Sequence, residues 1–343
     1  MIYVFIPILT ILFGVIVFFL YIILTEYKPQ PIEDSVLIRN SRDQTLNDKI
    51  SITTLNMGYC SLDKDQDFFL EGGKNAKTSS RDHTFDNLIS LANTLKDFKS
   101  DFYFLQEVDT HGSRSANINQ VEHLTSEFNQ YNLFFAYNYR AKWVPIPITH
   151  PMGSAHSGLV TLSKKQVISS ERIQLQGQET FPKSLFFPKR CMVVSKVKVK
   201  RDKDLYLINI HLSAYDKDSM FRTQQIHHIL NYIKELYEKE HNYIIVGGDF
   251  NLLLDEAMYH PDLPDWVSKL PKEVYESKFK IAFDSKTNTV RSDDMPYVKG
   301  RNFETVIDGF LVSPNINIVS VKTHDLGYKH TDHNPVTLFF DLK

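Results

Sequence analysis

The sequence predicts an α+β protein of two packed β-sheets with helices on their outer faces, preceded by one transmembrane helix. Three observations lead to it. Strand-like apolar runs outnumber helical patterns by about three to one, too many for a one-to-one parallel α/β repeat. Several of these runs end on short polar motifs, so that acids, amides and histidines fall at strand ends. An uncharged stretch of 23 residues stands near the N-terminus.

From Ile2 to Leu24 no residue carries a charge. At about 1.5 Å rise per residue, a helix of that length crosses the roughly 30 Å hydrocarbon core of a bilayer. Residues 1–25 are therefore read as a retained anchor. A cleaved signal peptide and a buried core helix are the competing readings, but no basic n-region or small-x-small cleavage site is clear. The flank mixes Glu26, Lys28, Glu33, Asp34 and Arg39, and no Lys or Arg precedes the span, so charge orients it poorly. A single-pass protein with an extracytoplasmic catalytic domain is the expectation. Residues 26–49, with Pro29, Pro31 and little hydrophobic periodicity, read as a tether, and 50–343 as one domain. Strands are expected at 50–56, 102–107, 131–138, 157–163, 191–199, 204–210, 243–248, 303–312 and 335–341, and helices at about 82–98, 117–129 and 219–239.

The 343 residues are 42% hydrophobic and 23% charged, an ordinary globular composition. A net charge of −2 lacks the bulk basic footprint of a tight, nonspecific nucleic-acid binder. Cys60 and Cys191 match no metal-ligand spacing and imply no disulfide framework.

The chemistry lies in the motifs. Asn56 closes the apolar stretch from Ile50, and Glu107 closes the one from Phe102. An amide and a carboxylate oxygen at neighbouring strand ends suit Mg²⁺, which takes oxygen ligands and keeps several waters. Tyr243 to Gly248 is a buried-type strand leading to Asp249 and Asn251, through two glycines that let backbone approach a ligand closely. Asp249 and Asn251 project to one side of an extended segment. One can take a proton from water while the other orients that water or a phosphate oxygen; a plain turn is the alternative. His211 ends the strand from Leu205, with Asn209 on the same face, and a histidine there can donate to a phosphate oxygen. Asp308 is expected to accept a hydrogen bond from the His333 ring and raise its pKa, while Asp332 faces the metal.

In this order, Asn56, Gln106-Glu107, Asn209-x-His211-Leu212, Gly248-Asp249-Phe250-Asn251, Ile307-Asp308 and Asp332-His333 resemble the endonuclease/exonuclease/phosphatase superfamily. The resemblance covers 50–343 and implies a four-layer α/β/β/α sandwich of two mixed sheets with the site at one rim. It implies Glu107 as the principal metal ligand, assisted by Asn56 and Asp332, with Mg²⁺ and, alternatively, Mn²⁺ or Ca²⁺. Asp249 would position or deprotonate water, Asn251 and His211 would hold the phosphate, and His333 with Asp308 would stabilise the transition state. The formal base, Asp249 or His333, is left open.

Lys74, Lys77 and Arg81 lie in a long connection after the Asn56 strand and read as phosphate contacts or as a solvated loop. Arg114 and Arg190 can each reach a phosphate as bidentate donors. Lys196, Lys198 and Lys200 alternate with valines and read as the solvated face of a strand. The apolar segment from Trp143 to Ile148 can dip into a membrane interface or pack on the domain, and Tyr139 and Tyr215 are nearby candidates for substrate contact.

The function expected is metal-dependent hydrolysis of a phosphoester, nucleic acid on one side or lipid and small molecule on the other. Its partners are that substrate and the membrane, with no obligate protein partner. A catalytically silent binding module on the same scaffold is the alternative, and it predicts loss of some of Glu107, Asp249, His211 and His333, all of which are present.

Overall fold

The computed structural model describes residues 2–46, 49–199, 203–260, 263–264 and 266–343. After helix α1 (Ile2–Leu24) come β1 (Ile32–Asp34), β2 (Val36–Arg39), β3 (Ile50–Asn56), α2 (Arg81–Phe98) and β4 (Phe102–Gly112). Next are α3 (Gln120–Glu127), β5 (Asn132–Val144), β6 (Gly153–Ser163), β7 (Val167–Gln174), β8 (Cys191–Lys198), β9 (Asp204–His211) and α4 (Met220–Glu240). The chain ends with β10 (Tyr243–Asp249), α5 (Lys272–Tyr275), β11 (Lys280–Ala282), β12 (Val290–Arg291), β13 (Glu304–Thr305), β14 (Asp308–Val312), β15 (Ile316–Thr323) and β16 (Val336–Leu342).

Two seven-stranded sheets form, ordered β1-β7-β8-β9-β10-β14-β11 and β15-β16-β3-β4-β6-β5-β2. Both are mixed, because β9–β10 and β3–β4 pair in parallel and their neighbours antiparallel. Alternation along the central strands explains the layering. Ile52, Phe102, Phe104 and Leu338 meet Leu207, Tyr243, Ile245 and Phe310 between the sheets. The intervening residues Ile208, Ile210, Ile244 and Val246 point outward, beneath Ile226, Ile229, Leu230 and Ile233 of α4. Those helix positions follow the i, i+3, i+4, i+7 spacing of one face. On the opposite side Leu88, Leu91 and Leu95 of α2 and Leu124 of α3 cover Tyr103, Leu105 and Val160. Strands covered on both faces read as unbroken apolar runs, and each buried Leu or Ile contributes roughly 1.5–3 kcal/mol. The result is the four-layer sandwich.

α2 starts where the Ser80 side chain accepts from His83 N and ends with Lys99 in the left-handed region. Several strands exceed or depart from the sequence reading. β4 and β5 run on to Gly112 and Val144, and the expected strand at 303–312 breaks into β13 and β14. The tether reading of 26–49 is corrected for 32–39. β1 pairs with β7 and β2 with β5, on one outer edge of each sheet. These strands are too short and too exposed to show a period in sequence.

α1 is long and apolar enough to cross a membrane. Its side chains from Phe5 to Tyr21 are mostly exposed, which excludes a core helix, whereas a signal sequence has the same character. Both cysteines are buried and unpaired.

Gly247 and Gly248 are required by the sheets themselves rather than by a ligand. A Cβ on Gly247 would meet the Phe310 ring at 2.4 Å, and one on Gly248, at φ +141°, would meet the Ile210 carbonyl oxygen at 2.0 Å. Gly248→Ala is expected to cost roughly 2–6 kcal/mol from strain and overpacking together. A melting temperature of the detergent-solubilised chain equal to wild type would refute this.

Candidate active site at the sandwich rim

The registers of five strands bring the chemistry to one rim. Parallel pairing of β9 and β10 sets His211 opposite Asp249, and antiparallel pairing of β10 and β14 sets Asp308 opposite Asp249 from the other side. β3 and β4 place Asn56 opposite Gln106. Glu107 would by alternation point toward the helices, but its φ of +53° falls where the β4–β6 register shifts, and this bulge aims it into the cleft. His333 is held by a bridge to Val290 just before β16.

Asp249 is the hub. Its Oδ2 accepts from Asn56 Nδ2 at 3.0 Å and lies 3.4 Å from His211 Nε2 and 3.8 Å from His333 Nε2. Its Oδ1 accepts from Asn251 N at 2.8 Å. His333 Nδ1 bonds Asp308 Oδ2 at 2.8 Å, leaving Nε2 facing the cleft, 3.8 Å from Asp332 Oδ2. Asn251, at φ +48°, donates from Nδ2 to Leu212 O, and its own carbonyl accepts from the buried Arg222, which pairs with Asp216.

Charge follows from burial and neighbours. Burial, then Asp308, push Asp249 up to about 7, against the pull of His333. Burial opposes charging His333, but Asp308, Asp332 and Asp249 outweigh it and hold the ring well above the usual histidine value. His211 is held well below that value by burial and by Arg190, His333 and Arg114. Desolvation raises Glu107, with Arg114 opposing.

The donor set fits a hard divalent cation. Among the described residues the Glu107 carboxylate accepts no hydrogen bond, and its closest ion-pair contact is His211 Nε2 at 3.9 Å. Asp332 opens into the same cleft. Asn56 Oδ1 accepts from Gly58 N and keeps a second lone pair. Asp249, Asp308 and His333 also have ligand atoms within 4.8 Å of one another. There, however, Asp308 Oδ2 and His333 Nδ1 bond each other and Asp249 holds Asn56; Asp332 Oδ1 accepts from Thr331 Oγ1, so the Glu107 carboxylate and Asp332 Oδ2 are the better donors.

Other expected residues sort clearly. The Arg190 guanidinium makes no hydrogen bond among the described residues and lines the cleft, buried beside Glu107 and Asp249. Arg114 also lines it, but its Nε and Nη2 are fastened to Asp109 at 3.1 and 2.8 Å, beneath the Tyr59 ring. Arg81 does not reach the site: it sits exposed at the start of α2 and donates to Ala116 O, and Lys74 and Lys77 do not line the cleft either. Asn209 is correspondingly not a substrate contact. It lies behind the rim, accepting from Gln106 Nε2 and donating to Val160 O, and so ties the two sheets together. Lys196 and Lys198 pair with Asp204, while Lys200 lies outside the described residues. Tyr139 and Tyr215 line the cleft, donating to Phe186 O and Glu71 Oε1.

Sequence reasoning missed Glu71 and Asp293. They line the cleft beside Asp332, Glu71 accepting from Asp293 N at 2.6 Å and Asp293 pairing with the buried Arg291. Glu71 closes a short 3-10 turn after Phe68-Phe69-Leu70, a run too short to read as a strand, and Asp293 sits in a loop with no apolar run beside it.

Residues 54–333 match the Endonuclease/Exonuclease/phosphatase family. No curated protein matches the sequence. Among solved structures, the endonuclease/exonuclease/phosphatase from Beutenbergia cavernae superposes with TM-score 0.61 at 14% identity, over 86% of this chain and 72% of that one. TDP2 from C. elegans gives 0.55 at 16%, over 85% and 75%, and the human Nocturnin catalytic domain with bound sulfate gives 0.55 at 16%, over 91% and 97%. With the motifs gathered at one rim of a shared sandwich, the chain belongs to the endonuclease/exonuclease/phosphatase family, whose members are metal-dependent phosphoester hydrolases.

Proposed function

We propose that this chain is a membrane-anchored, divalent-metal-dependent phosphoesterase that cleaves a phosphodiester or phosphomonoester by in-line attack of water. The observation that carries the reading is the convergence of Asp249, His211, Asp308, His333, Asn56 and Glu107 from chain-distant segments at one rim. Glu107 and Asp332, assisted by Asn56, hold Mg²⁺, with Mn²⁺ or Ca²⁺ as substitutes. The ion supplies Lewis-acid stabilisation of charge on phosphoryl and leaving oxygens. Asp249, with a proton affinity near neutrality, takes a proton from water as the water oxygen bonds to phosphorus. His333, kept protonated by Asp308, presents Nε2–H to the phosphoryl group as its P–O ester bond breaks, and the leaving oxygen ends with a proton. Neutral His211 and Asn251 orient the phosphate, and Arg190 supplies the unpaired guanidinium. D. rerio TDP2 has been solved with a single-strand DNA product, which keeps nucleic acid beside lipid and small phosphoesters among the candidate substrates. The domain is proposed to face outward from the membrane.

Full chain in detergent, assayed on bis(p-nitrophenyl) phosphate, plasmid DNA, RNA, nucleotides and phospholipids, is expected to hydrolyse at least one of them. Mg²⁺ should give a rate about 100-fold or more above that with chelator. Equal rates with Mg²⁺ and with chelator would refute the metal role, and no turnover on any of them would refute the enzyme.

A further inference from the structure

We infer that the substrate is a phospholipid of the bilayer that holds α1, with its phosphate beside Asp249 and Arg190 and an acyl chain in an apolar arm of the cleft. This rests on the phosphoesterase reading above and narrows it. The cavity, about 170 Å³, has both polar and apolar walls. Part of its wall is apolar, formed by Phe68, Phe69, Val144, Ile146, Met152 and Phe187, of which Phe69, Val144 and Met152 pack in one cluster. These side chains offer a hydrocarbon tail a dry surface and offer the polar edge of a base no hydrogen-bond partner.

Charge points the same way. Seven acids line the cleft against two arginines, Arg114 and Arg190, and with Asp216 and Asp293 neutralised by Arg222 and Arg291 the acids left are Glu71, Glu107, Glu179, Asp249 and Asp332. Arg114 is already fastened to Asp109. A nucleic-acid strand draws its affinity from many phosphate contacts to Lys and Arg. One unpaired guanidinium serves one phosphate.

The anchor's landing place is the strongest observation. Glu26 accepts from Lys189 Nζ at 2.8 Å and from Ser184 Oγ at 3.3 Å, and Tyr27 packs edge-on against Tyr137. The segment it grips contains Phe186, Phe187, Pro188 and Arg190, all lining the cleft. Glu26 follows Leu24, the last residue of α1, by two positions, a reach of at most about 7 Å. The cleft wall is therefore held at head-group level. Around it Trp143, Ile148 and Phe181 are 38%, 89% and 68% exposed, a set of side chains suited to a membrane interface. Water adds its oxygen to the lipid phosphorus, one P–O ester bond breaks, and the released alcohol takes the proton, leaving a phosphomonoester.

The test uses the full chain reconstituted into phosphatidylcholine vesicles carrying phosphatidylethanolamine, phosphatidylglycerol, sphingomyelin and phosphatidylinositol phosphate, in Mg²⁺. Vesicle lipid, bis(p-nitrophenyl) phosphate and single-stranded and duplex DNA are compared. Lipid turnover is expected to exceed DNA cleavage by about tenfold or more at matched phosphate. Ile146→Asp should lower lipid turnover about tenfold more than turnover of the soluble diester. Ile148→Asp, on a side chain too exposed to unfold the core, should lower lipid turnover selectively as well. DNA cleaved faster than lipid, or losses equal on lipid and soluble diester in both variants, would overturn the inference and leave the phosphoesterase reading standing. No turnover of any of the three would remove both.

Discussion

Asp249→Asn is expected to lower kcat by about 10²–10⁴-fold, the range lost when a positioned general base is removed. The substitution is nearly isosteric and keeps an oxygen for the Asn251 N–H, but its NH2 then meets the Asn56 NH2, so a loss of about 1–3 kcal/mol of stability is expected beside the loss of kcat. The same carboxyl sets the pH dependence. Burial and Asp308 push Asp249 up to about 7, so as pH falls through that value it takes up a proton and can no longer accept one from water. Activity should therefore decline on the acid side, and a cation held by Glu107 and Asp332 should shift that limb downward, because positive charge favours the carboxylate. In Asp249→Asn the acid limb should vanish with the rate. Retention of wild-type kcat, measured on whichever phosphoester the wild type cleaves, would take Asp249 out of the mechanism.

Glu107→Ala is expected to raise the Mg²⁺ concentration for half-maximal activity by about 100-fold or more, since loss of residues one shell further out already costs 10–100-fold in metal affinity. The carboxylate has no hydrogen bond to lose among the described residues, and it stands on a bulge rather than in the core. The folded state should therefore not suffer, and removing a desolvated carboxylate should leave the melting temperature without metal equal or higher. Calorimetric titration with Mg²⁺ separates the two effects. Unaltered Mg²⁺ affinity in Glu107→Ala and in Asp332→Ala would show that the ion binds elsewhere, with Asp249, Asp308 and His333 the next donors to test.

Much of the rim was legible because its residues close strands that are buried on both faces. Such strands are read from sequence as unbroken apolar runs, and the polar residue ending each run must lie where the sheet meets water. Asp249, His211 and Glu107 were found that way. The pairing of His333 with Asp308 followed from side-chain chemistry. What failed to show was anything settled by tertiary contact. Arg81 and Arg114 carry the same guanidinium, and only the fold decides that one caps a distant carbonyl while the other is fastened to Asp109. Asn209 shares a face with His211 but lies deeper, where Gln106 from the opposite sheet meets it. Glu71 and Asp293 come together from segments more than 200 residues apart, through Asp293 N–H on Glu71 and Phe68 N–H on the Asp293 carbonyl. No period or motif encodes such an encounter.

The two short strands after the helix complete the outer borders of both sheets, β1 on β7 and β2 on β5, with Ser35 between them bonded twice to Ser170 O. A shortened soluble form starting at Ile50 would strip both borders at once and leave two rows of unsatisfied amide and carbonyl groups. Rows of that kind recruit strands from other molecules, so such a fragment should self-associate or exchange segments. Cutting between the helix and Ile32 preserves both borders.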